Sequence, residues 1–357
     1  MLKEERLLLG SHQSIDLGKI NRTSSARLMC FLICIGILTA AFAVSGVWKD
    51  GRDWFNNDKS DGLETPFSEE LSFSTQPPSA TDTNQITEEE KKVPAGAIPI
   101  VSMNLSTEWN VGTMVENQTG YRLNVDELLS LPLFGTAPTD EPLVLILHTH
   151  ATEAYLNPNV TYITGEVGDE IYSDRRDRSV LLVGEAMSET LNQNGITTIH
   201  CAQKHGMDGS LQNAYASSEA CVKAYLKRYP SIQCVIDLHR DGILDRSGAL
   251  VRTEVQKEGE SYGQVMAVVG SDGNGTFHPN WRNNLALALQ LCSRLNASVE
   301  ETCRTVSLRN ASYNQELAPY SLLLEIGSAG NTQEEAIRTV RLVGEVLSQM
   351  IKESIAS

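Results

Sequence analysis

Short apolar runs alternate with amphipathic stretches along the C-terminal part of the chain. Leu143–His148 (LVLILH) is apolar at nearly every position, which is typical of a strand buried on both faces of a sheet. Similar runs follow it at 196–201, 234–238, 265–269, 306–308 and 322–326. Apolar residues recur at helical spacing in 180–191, 218–229, 281–299 and 333–355. This alternation predicts an α/β domain in which helices flank both faces of a mostly parallel sheet.

The N-terminal part has a different pattern. Residues 28–48 (LMCFLICIGILTAAFAVSGVW) form an uncharged apolar run, long enough for a transmembrane helix. Basic residues outnumber acidic ones in 1–27, whereas the charges just after the run cancel. We therefore expect 1–27 to be a cytoplasmic tail and the rest of the chain to lie outside the cell membrane. A cleaved signal peptide is the alternative.

The stretch after the apolar run predicts three further parts. Residues 49–95 are rich in Ser, Thr, Asp, Glu and Pro and have no periodic apolar pattern, which indicates a flexible acidic linker. Residues 96–140 are expected to be an N-terminal extension packed on the main domain, which is assigned to 141–357.

Charge and cysteine content exclude some function classes. The formal net charge is -16 at pH 7, which argues against a nucleic-acid-binding protein because such a protein needs a basic surface. Cys30 and Cys34 lie in the apolar run, and the other five cysteines are widely spaced, at 201, 221, 234, 292 and 303. Since there is no C-x-x-C pair, the sequence predicts against a Cys-based zinc site. It favours buried free thiols, with one disulfide as the alternative.

Three of the predicted strands end in residues that can bind a metal or transfer a proton. The first continues into His148, His150 and Glu153, and the third ends at His239. The last carries Glu325 after three leucines. Because functional groups gather at the carboxyl ends of parallel strands, we expect these side chains to meet. Asp237 or Asp241, which flank His239, could accept the second N–H of a ligating His239.

Imidazole and carboxylate groups at an open site are typical zinc ligands. Such a site favours amide hydrolysis with Glu325 as the general base. A serine or cysteine nucleophile is disfavoured, because the chain has no G-x-S-x-G motif and no cysteine in a catalytic context.

The strings LILHTHATEAY (145–155), VIDLHRDG (235–242) and LLLEIGSAGNTQEEA (322–336) resemble those of the stage II sporulation protein P family. VENQTGYRLNVDELLSLPL (115–133) is also similar to that family, so the resemblance covers roughly residues 100–350. The family resembles the zinc N-acetylmuramoyl-L-alanine amidases. The resemblance therefore implies a membrane-anchored peptidoglycan hydrolase with amidase and endopeptidase action. It also implies a role in forespore engulfment, beside a lytic transglycosylase and a polytopic membrane protein.

The resemblance makes His150 and His239 zinc ligands and Glu325 the catalytic carboxylate, but it leaves the third ligand open. Typical amidases of this kind use a glutamate at the start of the next helix. That region offers only acidic residues without a clear match, namely Glu166, Asp169, Glu170, Asp174 and Asp177. Glu153 is the preferred ligand, and His148 is a further candidate.

Two other functions fit the same residues. One is a surface-tethered binding or scaffolding module built on a degenerate hydrolase fold. The other is a zinc carboxypeptidase, which shares the ligand chemistry.

Overall fold

The computed structural model describes residues 93–135, 140–165, 167–205 and 211–356. The expected cytoplasmic tail 1–27, the membrane helix 28–48 and nearly all of the linker 49–95 lie outside these residues. Within the described ranges, no helix has the length and apolar character needed to span a bilayer.

The described residues form eleven strands and six α-helices. The strands are β1 Ile98–Met103, β2 Val115–Asn117, β3 Val144–Leu147, β4 Tyr162–Ile163, β5 Thr198–His200, β6 Cys234–Asp241, β7 Leu250–Lys257, β8 Glu260–Gly263, β9 Val265–Gly270, β10 Val306–Arg309 and β11 Tyr320–Ser328. The helices are α1 Val125–Ser130, α2 Val167–Ile171, α3 Val180–Gln193, α4 Leu211–Arg228, α5 Trp281–Ser298 and α6 Gln333–Ala356.

The main sheet has seven strands in the order β2-β10-β9-β11-β6-β3-β5. All neighbours in it are parallel except β9 and β11, which pair antiparallel. The expected α/β architecture is therefore confirmed, and each strand predicted from an apolar run lies in this sheet.

Strand β3 shows why its run is continuously apolar. Val144 and Ile146 belong to the larger core, which the sheet shares with α3, α5 and α6. Leu145 and Leu147 face the other way, into a smaller cluster with Cys221 and Val222 of α4. Helices thus cover both faces, so that alternate side chains of β3 are buried on opposite sides.

A second sheet, in the order β4-β1-β7-β8, was not predicted. Strand β7 of this sheet has an alternating pattern of burial. Val251, Thr253 and Val255 are buried, and the residues between them are less buried. The hairpin from β7 to β8 turns at Glu258 and Gly259, which both have positive φ, 53° and 82°. Period-two alternation next to a Glu-Gly turn could have indicated this hairpin.

Residues after β11 join the two sheets. The Asn331 side chain accepts from the backbone N–H of Ser328 (2.8 Å) and of Thr253 (3.2 Å). Helix α6 then begins with a reciprocal cap, in which Thr332 N–H donates to Glu335 Oε2 (2.9 Å) and Glu335 N–H donates to Thr332 Oγ1 (3.3 Å). This capping box fixes the chain just after Glu325.

Candidate active site

The candidate site lies at the carboxyl ends of three adjacent parallel strands. Strands β11, β6 and β3 are neighbours in that order, and Glu325 pairs with His239 in the β11–β6 register. His150 follows β3, and its ring centroid lies 5.3 Å from that of His239. The strand order therefore brings together three residues that are far apart in the sequence.

Glu153 lies beside His239. Its Oε2 atom is 3.4 Å from His239 Nδ1 and accepts a hydrogen bond from the Arg240 backbone N–H at 3.1 Å. The Glu153 carbonyl accepts from the N–H of Val180 at 2.9 Å, where α3 begins. A carboxylate from the first motif is thus placed next to the start of α3.

The other acidic candidates of that region point elsewhere where the structure describes them. Glu170 pairs with Arg178 (3.3 Å), Asp174 with Lys204 (3.3 Å) and Asp177 with Arg175 (2.5 Å). Glu166 and the side chain of Asp169 lie outside the described residues.

Asp237 orients His239. Its Oδ1 atom lies 3.0 Å from His239 Nε2 and accepts from Thr149 N–H at 2.8 Å, while Oδ2 accepts from the Thr149 hydroxyl at 2.6 Å. Asp241, the other carboxylate considered for this role, instead pairs with Arg304 at 2.8 Å.

His148 is separated from the other candidates. Its Nδ1 atom lies 3.0 Å from the Leu238 carbonyl oxygen and its Nε2 atom 2.9 Å from His200 Nε2. A Cβ atom at Gly184 of α3 would overlap the His148 ring, which places this imidazole between the sheet and α3. Burial, and then the charge of His200, lower the pKa of His148 to about 3. Both ring nitrogens are engaged, so His148 is not placed to share a metal with His150.

Comparison with known proteins identifies the family. The model of the stage II sporulation protein P family matches residues 57–348, most of the chain. The chain belongs to this family.

A curated relative, stage II sporulation protein P of Bacillus subtilis (strain 168), is 28% identical over 223 residues. The alignment covers 59% of this chain and 51% of the relative, so the chain spans about half the length of that protein. Among solved structures, the CwlD amidase of Clostridioides difficile in complex with the GerS lipoprotein is 14% identical, covering 60% of this chain and 98% of that one, with a TM-score of 0.36. The amidase CwlV of Bacillus (Paenibacillus) polymyxa is 14% identical, covering 60% and 96%, with a TM-score of 0.33.

In this stage II sporulation protein P family member, His239 carries the positive charge between two carboxylates. Burial alone would lower the pKa of His239, but Asp237 and Glu153 raise it well above the ordinary value. Burial would raise the pKa of Glu153, and the charges of His239 and Arg240 lower it to about 2 instead. The two carboxylates are therefore ionised and His239 balances them.

Glu325 is held in a different environment. Burial, followed by the negative charge of Asp241, raises the pKa of Glu325 to about 8. Its Oε2 atom is buried and makes no hydrogen bond. A carboxyl group with such a pKa can accept and return a proton near neutral pH.

The residues fit a zinc ion by their chemistry. Two imidazoles and one carboxylate from His150, His239 and Glu153 match the ligand set of open zinc sites. Glu325 Oε2 is a buried polar atom without a hydrogen bond, which is typical of a site that takes a further group. The ligand atoms must still move closer together, since among the described residues only Cys201, His205 and Cys221 have three within 4.8 Å of one another.

Sequence reasoning missed part of the supporting structure. Arg240 is buried and donates to the carbonyls of Ala154 (3.1 Å) and Ile171 (2.6 Å), which anchors the loop that carries Glu153. Tyr215 of α4 packs edge-on against His150, with ring centroids 5.6 Å apart. Arg240 follows His239 directly, so an arginine at the end of a buried strand was the available clue. Tyr215 comes from a helix far away in the sequence, and no sequence pattern indicated that it would contact His150.

Proposed function

We propose that this family member is a zinc-dependent peptidoglycan hydrolase. It would act as an N-acetylmuramoyl-L-alanine amidase, with endopeptidase action on cross-links as a second activity of the same site. The observation that carries the proposal is the meeting of His150, Glu153 and His239 with Glu325 at one edge of the sheet. The family assignment supports a role in sporulation.

The side chains of the site have two proposed roles, metal binding and proton transfer. His150, Glu153 and His239 would hold the zinc ion, and Asp237 would orient the His239 ring. A bound zinc ion supplies an acidified water and polarises a carbonyl oxygen. Glu325 takes the proton of the attacking water at its carboxylate and delivers it to the leaving amine.

The setting of the reaction also belongs to the proposal. The uncharged run 28–48 would anchor the chain in the cell membrane with its N-terminus in the cytoplasm. The hydrolase domain would then reach the cell wall across the linker 49–95. A lytic transglycosylase and a polytopic membrane protein would be its partners in engulfment.

The decisive test replaces the proposed base. We expect Glu325→Gln to lower the rate of peptide release from peptidoglycan by roughly 10² to 10⁴-fold, since it removes one general base. Zinc content, measured by elemental analysis, and the circular dichroism spectrum should stay as in the wild type. Muropeptide products identified by mass spectrometry would separate amidase from endopeptidase and carboxypeptidase cleavage.

The matched control is Glu345→Gln, because Glu345 is an exposed glutamate on α6. It should retain full activity. A Glu325→Gln protein as active as this control would exclude Glu325 as the base. A folded wild type that binds no zinc and releases no peptide would point to a scaffolding module instead.

A further inference from the structure

A second group of potential metal ligands lies on the α4 side of the main sheet. Cys201 directly follows β5, His205 lies in the next loop, and Cys221 is in the middle of α4. All three side chains are buried, and one ligand atom from each lies within 4.8 Å of the other two. The two Sγ atoms are 3.3 Å apart.

The backbone and a neighbouring hydroxyl hold these ligands in place. Cys201 N–H donates to the carbonyl of Ile146 in β3 at 2.8 Å. His205 Nδ1 lies 2.8 Å from the Ser217 hydroxyl, while His205 Nε2 is buried and has no hydrogen-bond partner. A ligating histidine usually has one ring nitrogen fixed in this way and the other directed at the metal.

We propose that Cys201, His205 and Cys221 bind a zinc ion distinct from the one at the hydrolytic site. Two thiolates and a neutral imidazole balance the charge of a divalent cation, and soft sulfur ligands favour zinc. Three protein ligands leave the fourth tetrahedral position to water. This site does not depend on the proposed hydrolase activity.

A disulfide between the two cysteines explains less of the structure. It requires a bond of about 2.0 Å, whereas the sulfur atoms are 3.3 Å apart. It would also leave the buried Nε2 atom of His205 without a partner. A bound cation satisfies all three groups at once.

The proposed ion would join the end of β5 to α4. Helix α4 also carries Tyr215 against His150, and Ser218, whose hydroxyl lies 2.9 Å from that of Thr149. A metal at Cys221 would therefore stabilise the helix that borders the hydrolytic site.

Cobalt(II) distinguishes the two metal sites. Thiolate ligands give cobalt an intense charge-transfer absorption in the near ultraviolet, which a site made of His150, Glu153 and His239 cannot give. The full chain, purified in detergent under reducing conditions and stripped of metal, is titrated with cobalt. We expect one equivalent to produce this band, and zinc to remove it by displacement.

Variants locate the band. Cys201→Ser and Cys221→Ser should abolish it, and His205→Gln should weaken cobalt affinity at least about tenfold. Cys292→Ser is the matched control. Cys292 contacts Cys303 in a buried pair, and this pair belongs to no potential metal-binding group among the described residues. A Cys30→Ser/Cys34→Ser chain excludes the N-terminal cysteines as the source. Glu325→Gln should keep the band whether or not it is active.

Three results would overturn the proposal. One is a folded wild-type chain without the band, and another is a band that persists in Cys201→Ser. The third is a Cys201–Cys221 disulfide in the native protein that, once reduced, binds no cobalt. If the serine variants do not fold, alkylation of the wild type decides, since zinc should protect Cys201 and Cys221 from the reagent and leave Cys292 unaffected.

Discussion

At the scale of single residues, the environment of His239 governs the candidate site. It lies between two carboxylates, Asp237 of β6 and Glu153 of the loop after β3, which have different proposed roles. Glu153 comes from the loop after β3 and is the proposed ligand. Asp237 is fixed by two hydrogen bonds from Thr149, which makes it a positioning residue whose effect must pass through the imidazole.

Asp237→Asn tests this positioning. The amide keeps the size of the carboxylate and one oxygen for Thr149 N–H, but it no longer supports the N–H of His239 as a carboxylate does. Loss of such an outer-shell partner typically weakens metal affinity 10 to 100-fold, and we expect a change of about that size in zinc competition with a chelator. Thr149→Ser keeps both hydrogen bonds and serves as the control. Equal zinc affinity in Asp237→Asn and wild type would remove Asp237 from this role.

Glu316 offers a test of how stability depends on pH. Its Oε2 atom is buried without a hydrogen bond, and burial, then Glu219, raises the pKa of Glu316 above the ordinary 4.5. The folded state therefore binds this proton more tightly than the unfolded state, and ionisation above pH 4.5 costs stability.

We expect Glu316→Gln to increase the free energy of unfolding at pH 7 by less than about 1 kcal/mol, because the side chain is only half-buried and solvent screens its charge. The gain should vanish below the ordinary pKa, where Glu316 is neutral in both states. Urea denaturation at several pH values measures the difference, with Glu345→Gln as the exposed control. A gain that grew as the pH fell would contradict this account.

The sequence could supply some of these residues and not others. His150, His239 and Glu325 each end an apolar run, and parallel strand ends meet by geometry, so their proximity could be expected. The Cys201–His205–Cys221 group was not anticipated from the sequence, which predicted against a Cys-based zinc site. Its members come from a strand end, a loop and a helix, and no spacing rule connects these. The structure also shows the five described cysteines as free and buried thiols.

At the scale of elements, the periodicity of apolar residues predicted a helix well where those residues form its buried face. Helix α3 covers the predicted range 180–191 and ends at Gln193, just before Gly195, which has a φ of +78°. Helix α4 begins at Leu211, earlier than the expected 218. Its first turns contain few large apolar residues, and Ala214, which is buried, contributes a contact too small to mark a helical face.

Gly184 shows that an element can depend on one missing side chain. Within a helix, Ala is favoured over Gly by about 1 kcal/mol, yet a Cβ here would overlap the His148 ring, and His148 is held by the Leu238 carbonyl. We expect Gly184→Ala to destabilise the protein by about 1–3 kcal/mol, as overpacking does, in urea denaturation. Glu189→Ala, an exposed site on α3, should change stability little. A stabilising Gly184→Ala would show that His148 can move away.

At the scale of the whole molecule, the sequence predicted the sheet and helices of the main domain better than the boundary of that domain at residue 141. The residues assigned to an N-terminal extension, 96–140, supply β1 between β4 and β7 and add β2 to the main sheet beside β10. They also place Leu128 and Phe134, both fully buried, in the larger core. Their strand partners β4, β7 and β10 are distant in the sequence, with Pro99 pairing with Tyr162, Ile100 with Leu250 and Val115 with Val306, which local patterns cannot reveal.

Truncation tests whether this segment is part of the fold. Deleting residues 1–92 removes nothing that the structure describes, so we expect a soluble protein with cooperative urea unfolding. Deleting residues 1–140 removes β1 and β2, which pair with β4, β7 and β10, and it exposes the core surface that Leu128 and Phe134 cover. Because unpaired edges and exposed apolar surface favour aggregation, this shorter chain should be insoluble or should bind a hydrophobic dye without a cooperative transition. Residues 141–357 that unfold cooperatively and bind zinc like the longer chain would instead make 96–140 a dispensable extension.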